Sequence, residues 1–244
     1  MSDEYGPSTY GDRIAEVYDG WFSVPVDTDE AVALLAELAG EGPVLELGIG
    51  TGRLALPLKV RGVQVHGIDS SEAMVAKLRQ KPGGADVPVT VGDFGDVPVE
   101  GAYRLVFVAF NTLFALLTQE DQVRCFQNVA AHLTDDGLFV VQAFVPDLAR
   151  FDRNQRIQTE AVGTDSLVLG ADEHDPIHQR VRSVHVVLTE SGTRLYPVQI
   201  RYSYPSELDL MARLAGLRLR DRWEDWSKTS FAPSSESHVS VYGR

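Results

Sequence analysis

The stretch Val44-Leu-Glu-Leu-Gly-Ile-Gly-Thr-Gly-Arg53 limits what this chain can fold into more than any other. An apolar run from Pro43 to Leu47 ends in Gly48, Gly50 and Gly52, and Leu54, Ala55 and Leu58 then recur at helical spacing, with Pro57 tolerated in the first turns. The order is strand, glycine turn, helix. Glycines cost backbone entropy, so a cluster at a strand end marks a place where the main chain turns sharply or is approached closely.

The alternation continues along the chain. Asp27, Thr28 and Asp29 precede a helix carrying Val32, Leu34, Leu35 and Leu38, which Gly40 and Gly42 end. Val63, Val65 and Ile68 make a second strand closing at Asp69, and Ser70-Ser71-Glu72 opens a helix with Ala73, Met74, Val75 and Leu78. Strands are predicted over 87–91, 105–110 and 138–144, and a helix over 119–133. Strands alternating with helices imply a parallel sheet, and short apolar strands suit one because a central parallel strand is buried on both faces. After Pro146 the texture changes. Residues 147–179 are rich in Asp, Arg, Gln and His, whereas 181–188 and 194–204 alternate in period two around Glu190-Ser-Gly192, which predicts an antiparallel hairpin. A helix over 206–215 and strands over 218–223 and 238–242 return to the main sheet. The fold class is therefore α/β, a Rossmann-like mainly parallel sheet with helices on both faces plus an inserted antiparallel β lid. Its expected units are a cofactor-binding core with an N-terminal cap (1–145), the lid (146–204), and a C-terminal helix and strands completing the core sheet (205–244).

Charge and composition remove several functions. With 35 acidic against 22 basic residues and no basic tract, the attraction to phosphate that drives nucleic-acid binding is missing. No apolar run approaches the roughly 20 residues that span a bilayer. Met1-Ser-Asp-Glu-Tyr5 lacks the basic and apolar regions of a secretory leader, so a cytoplasmic location is expected. Cys125 is the single cysteine and sits among Val123, Phe126 and Val129, a core position on an amphipathic helix. His174 and His178 are four apart, but Pro176 between them argues against a shared helix face, and no metal is expected.

An alternating sheet binds ligands at the carboxyl ends of its strands. Asp69 ends the next strand about 20 residues after the turn, where a carboxylate accepts from ribose hydroxyls, so an adenosine ligand is expected. A dinucleotide fingerprint requires a further glycine where this chain has Arg53, and Glu46 precedes the turn. A carboxylate there repels a pyrophosphate and welcomes an amine or a sulfonium. S-adenosyl-L-methionine meets these requirements.

The runs Glu46-Leu-Gly48-Ile-Gly50-Thr51-Gly52, His66-Gly67-Ile68-Asp69-Ser70-Ser71 and Gly92-Asp93-Phe94 resemble the first three motifs of class I S-adenosylmethionine-dependent methyltransferases, over roughly residues 10–145. The resemblance implies that the turn from Glu46 to Gly52 wraps the methionine part, that Asp69 holds the ribose, and that Asp93 and Phe94 meet the adenine. The segment Tyr10 to Asp19 is similar to the leading segment of small-molecule members, especially amino-sugar N,N-dimethyltransferases and glycine N-methyltransferase-like enzymes, which implies that Tyr10 and Tyr18 close over the cofactor. Those amino-sugar enzymes carry a histidine after the fourth strand where this chain has Ala115, so their reaction is not transferable.

The expected cofactor residues are Tyr10, Tyr18, Glu46, Gly48, Gly50, Gly52, Arg53, Asp69, Ser70, Met74, Gly92, Asp93, Phe94 and Phe110. Asn111, Phe114, Tyr202, Trp223 and Trp226 are expected at the substrate, and His185, His238 and Tyr18 as catalytic groups. Alignment of nucleophile and methyl supplies most of the rate in an in-line displacement, so a base is optional. The expected activity is methyl transfer to O or N of a small metabolite, such as a sugar or natural-product intermediate. An NAD-dependent oxidoreductase and a non-catalytic S-adenosylmethionine-binding module are the alternatives. The expected partner is a small-molecule acceptor, with no nucleic acid or membrane; a homodimer is left open.

Overall fold

The computed structural model describes residues 5–21 and 27–244. Met1 to Glu4, read above for a leader, lie outside the described residues. Two short helices, α1 (Thr9–Ile14) and α2 (Tyr18–Trp21), and α3 (Thr28–Ala39) precede the first strand. The core then runs β1 (Val44–Leu47), α4 (Ala55–Val60), β2 (Val65–Asp69), α5 (Glu72–Gln80), β3 (Val89–Val91), β4 (Tyr103–Val108), α6 (Gln119–Ala131) and β5 (Leu133–Phe144). Four strands follow, β6 (Gln155–Val162), β7 (Ser166–Asp175), β8 (Arg180–Thr189) and β9 (Gly192–Arg201). Finally come α7 (Pro205–Leu214), β10 (Arg218–Trp223) and β11 (Ser237–Gly243).

The main sheet has the order β10-β11-β5-β4-β1-β2-β3. Strands β1 to β5 are parallel, and β11 and β10 join antiparallel at one edge. Every residue of β1 is buried because both faces of the sheet are covered. Leu45, Leu47, Val106 and Val108 pack on one face with Phe126, Phe139 and Tyr242, and Val44, Leu105 and Phe107 pack on the other with Leu35 and Leu58. Ser71 opens α5 with its hydroxyl oxygen accepting from Met74 N–H, and Thr118 caps α6 the same way from Asp121 N–H. The strand order reverses between β1 and β4, and the crevice at their carboxyl ends is the place such sheets bind ligands.

The second sheet, β6-β7-β8-β9, is antiparallel and larger than the single predicted hairpin. Strands β6 and β7 occupy the polar stretch where no strand was predicted. Their apolar signal is weak because much of the sheet is solvated, and Ile157 and Val162 of β6 are themselves exposed. The sheet leans on the N-terminal segment, where Tyr196 packs with Ile14, Ala15 and Met74 and Gln199 N–H donates to the Tyr5 hydroxyl at 3.1 Å. Among the described residues no helix is long and apolar enough to cross a membrane.

Candidate active site

The glycine turn after β1 has left-handed backbone at Gly48 (φ 74°) and Gly50 (φ 54°), a conformation that L side chains rarely adopt. A Cβ on Gly48 would also run into the Thr112 side chain. The turn is tied to the end of β2. Gly48 N–H and Ile49 N–H both donate to Ile68 C=O, Gly50 N–H donates to Asp69 Oδ2 at 2.7 Å, and Ser71 N–H donates to Asp69 Oδ1 at 2.8 Å. The N-terminal segment locks onto the same place. Ser71 Oγ donates to Asp12 Oδ1 at 2.6 Å, and Thr51 Oγ1 and Lys81 Nζ reach Asp19.

One buried carboxyl, Glu46, and one half-buried one, Asp69, face this turn. Burial pushes the Glu46 carboxyl well above the usual carboxylate range, and the Asp69 charge adds to the effect against an Ala55 N–H donor and Arg53. One Glu46 oxygen, Oε2, is buried without a hydrogen-bond partner among the described residues. Such an orphan is costly unless a ligand completes it, and a cation does so best. Burial also raises the Asp69 carboxyl, opposed by its two backbone donors. Arg53 sits over the Phe110 ring with its guanidinium carbon 3.6 Å from the ring centre and hydrogen-bonds Tyr18.

Together these groups line a cavity of about 680 Å³, within the range of small-ligand sites. Of the residues expected from sequence, Tyr10, Tyr18, Glu46, Gly48, Gly50, Arg53, Asp69, Ser70, Met74, Asp93, Phe94, Phe110, Asn111 and His185 reach its wall. Phe110 and Asn111 are held at φ 54° and 65° by Gln142 and β5, since Phe110 N–H donates to Gln142 Oε1 and Phe144 N–H donates to Asn111 Oδ1 at 2.7 Å. Left-handed backbone at two successive non-glycine residues is strain of the kind that clusters at functional sites.

The remaining expectations are corrected by the placement of the residues. His238 is fully buried in β11, its Nδ1 pairs with Ser240 Oγ, and burial depresses it to about 4; it does not line the cavity. Tyr202 follows the end of β9 and is buried with its hydroxyl 2.9 Å from His174 Nε2. Phe114 is a core residue packed edge-on against Phe144, and Trp226 is buried on the far face of the sheet. Trp223 lies in β10 under Lys228, Gly92 lies off the cavity wall, and Gly52 clears space for Leu78 rather than for a ligand. The sequence reading missed the other wall, made by Tyr5, Ala115 to Leu117, Asp121 and Phe144, and by Val198, Gln199 and Ile200 of β9. The signals in the sequence were the period-two pattern of β9 and the position of Ala115 after the fourth strand.

A doubly wound sheet with a carboxylate-flanked glycine turn defines a nucleoside-binding enzyme of the kind that uses a phosphate-free, cationic cofactor. Comparison with known proteins agrees. Residues 44–137 match the family model described as a methyltransferase domain. The chain is 44% identical to the CcbJ methyltransferase from Streptomyces caelestis, covering 98% of this chain and 99% of that one with a TM-score of 0.93. It is 28% identical to the cypemycin N-terminal methyltransferase of a Streptomyces species, over 90% of this chain and 89% of that protein. The fold is shared with S-adenosylmethionine-bound CalS10, an amino pentose methyltransferase from Micromonospora echinaspora, at 19% identity, 92% and 96% coverage and a TM-score of 0.69. The chain belongs to the S-adenosylmethionine-dependent methyltransferases. That membership decides for the sulfonium cofactor against a nicotinamide.

The orphaned Glu46 oxygen fits that cofactor, and a cation seated beside it should make binding pH-dependent. A cation beside Glu46 favours the carboxylate, so the complex holds fewer protons than the free protein and affinity should rise with pH, by at most about tenfold per unit for one proton released. Calorimetry at mildly acid pH in two buffers of different ionisation enthalpy should register this release, and Glu46→Gln should abolish it. The free protein should lose stability as pH rises through the raised Glu46 value, because its folded state holds the proton that the unfolded state has lost.

Proposed function

We propose that the protein methylates a nitrogen of a small, cationic amine in natural-product biosynthesis. The observation that carries this reading is the balance of ionisable groups on the cavity wall, four carboxyls, Glu46, Asp69, Asp93 and Asp121, against the one guanidinium of Arg53 among the described residues, in a chain of net charge -13. Such a wall draws in ammonium groups and repels anionic acceptors. The name of the cypemycin enzyme, which puts its target at an amino terminus, supports nitrogen as the target.

S-adenosylmethionine, when bound, supplies an electrophilic methyl on a positively charged sulfur. The chain's residues do the rest. Glu46 and the glycine turn hold the cationic end, Asp69 accepts from the ribose hydroxyls with the lone pairs its backbone donors leave, and Asp93, Phe94 and Met74 hold the base. Tyr10 and Tyr18 cover the cofactor from the N-terminal side. Burial raises the Tyr18 hydroxyl, which makes it a hydrogen-bonding group rather than a base. Phe110, Phe144, Leu116, Leu117 and Ile200 line the cavity with apolar surface, which limits water and aligns the acceptor.

Incubation with S-adenosylmethionine and a panel of primary and secondary amines, aminopentoses and matched alcohols tests this, with the new methyl located by mass spectrometry and NMR. N-methylated product is the expected result. Methylation confined to oxygen sinks the reading.

A further inference from the structure

One histidine on the cavity wall is held by a carboxylate two strands away. His185 of β8 faces Gly170 of β7, and Gly170 faces Gln158 of β6. The register of β6 slips between Thr159 and Ala161, so Glu160 is an extra residue in a β-bulge. A bulge bends its strand and re-aims the side chain it carries. Here the Glu160 carboxylate crosses over β7 to His185 Nδ1, at 2.7 Å from Oε2 and 3.0 Å from Oε1. It crosses at Gly170, where a Cβ would overlap the carboxylate oxygen. The imidazole is braced on its other side by Trp21, edge-on at 5.9 Å, and Trp21 in turn meets Tyr196 at 4.8 Å. His185 Nε2 makes no hydrogen bond among the described residues, and His185 is one of the residues that line the cavity.

Bulge, glycine and carboxylate serve one arrangement. A carboxylate on Nδ1 fixes the proton there and leaves the lone pair on Nε2, the logic by which a third group orients a catalytic base. We infer that Glu160 is a positioning residue for His185, and that His185 Nε2 takes the proton from the acceptor's ammonium nitrogen before methyl transfer. This rests on the nitrogen reading above. The N–H bond of the acceptor breaks, Nε2 supplies the pair for the new bond to the proton, and the amine keeps the pair with which it takes the methyl. The imidazolium is stabilised by Glu160 and returns its proton to solvent, since the His185 side chain is about 31% exposed.

The first test needs no acceptor. Nitrogen-15 NMR of histidine-labelled protein, with His185 assigned by its loss in His185→Ala, should show the neutral ring protonated at Nδ1 and bare at Nε2. Glu160→Gln should disturb that tautomer. A ring that carries its proton on Nε2 in the wild type overturns the inference. The second test uses the best amine from the panel. His185→Ala should lower kcat by about 10²-fold, the lower range for a general base, with KM changed by less than about threefold, S-adenosylmethionine affinity unchanged, and partial rescue by added imidazole. Glu160→Gln and Gly170→Ala should each lower kcat less, again at constant cofactor affinity. Unchanged kcat in His185→Ala, or a loss confined to KM, overturns the role. Should the panel yield only oxygen-methylated products, the nitrogen reading fails while the NMR arm still reports on the Glu160–His185 pair.

Discussion

Replacing Asp69 with alanine is expected to weaken S-adenosylmethionine binding by at least about tenfold, roughly 1.4 kcal/mol. Two losses contribute. In the proposed binding mode Asp69 offers carboxylate lone pairs to the ribose hydroxyls, and a hydrogen bond to a charged group contributes about 1.5–3 kcal/mol. It also receives Gly50 N–H and Ser71 N–H, so it sets the distance between the glycine turn and the start of α5. Asp69→Asn separates the two, because an amide oxygen still accepts one of these donors while its NH₂ cannot accept from anything. Calorimetry with S-adenosylmethionine and S-adenosylhomocysteine should place Asn between wild type and Ala. Unchanged affinity in Asp69→Ala would remove this carboxylate from the site.

The side of the cavity around the glycine turn, where we propose the cofactor is held, was legible in the sequence because each of its motifs is local. Glu46, Gly48 and Gly50 lie within five residues, and Asp69 and Asp93 end or follow the next two parallel strands. Once a doubly wound sheet is recognised, strand ends converge on one crevice and their side chains come with them. The opposite side, proposed for the acceptor, has no such shortcut. Tyr5, Asp121, Phe144 and Gln199 meet only through tertiary packing, and Glu160 sits on a strand whose outward apolar residues hide its period. The tryptophans misled for a related reason. Trp223 and Trp226 belong to the segment around β10, which lies three strands beyond β4 at the far edge of the sheet, and Trp226 turns into the core. His238 shows the same limit, since a polar residue opening an apparent strand reads as an edge group until the neighbours β5 and β10 bury it. Gln142 was invisible as a functional residue, being one polar position in an apolar run, although it holds Phe110 and Asn111 in their strained backbone.

Glu207→Ala is expected to cost about 3 kcal/mol of stability, the lower end for breaking a buried ion pair, because it strands a buried guanidinium. Arg201 ends β9 and is 5% exposed; its Nη2 donates to Glu207 Oε1 at 2.7 Å, and its Nη1 donates to Gln122 Oε1 and Ser203 Oγ. Glu207 of α7 also receives Gln119 Nε2 and Gln179 Nε2, while Gln122 of α6 donates to the carbonyls of Arg201 and of Leu116 on the cavity wall. This network therefore pins the antiparallel sheet to the core beside the cavity. For a chain of this size the expected fall in Tm is about 6–12 °C at roughly 2–4 °C per kcal/mol. Burial alone would push the Glu207 carboxyl up, but the bonds from Gln179, Arg201 and Gln119 hold it below the usual range. Its contribution is thus present above the ordinary glutamate value and lost as pH falls through the depressed one. The Tm difference between wild type and Glu207→Ala should narrow on acidification. Replacing both partners, Arg201→Met with Glu207→Leu, should recover most of the loss, since no charge is then left unpaired. A single-variant Tm within about 2 °C of wild type would show that the guanidinium finds solvent, and that the junction is held by packing rather than by this pair.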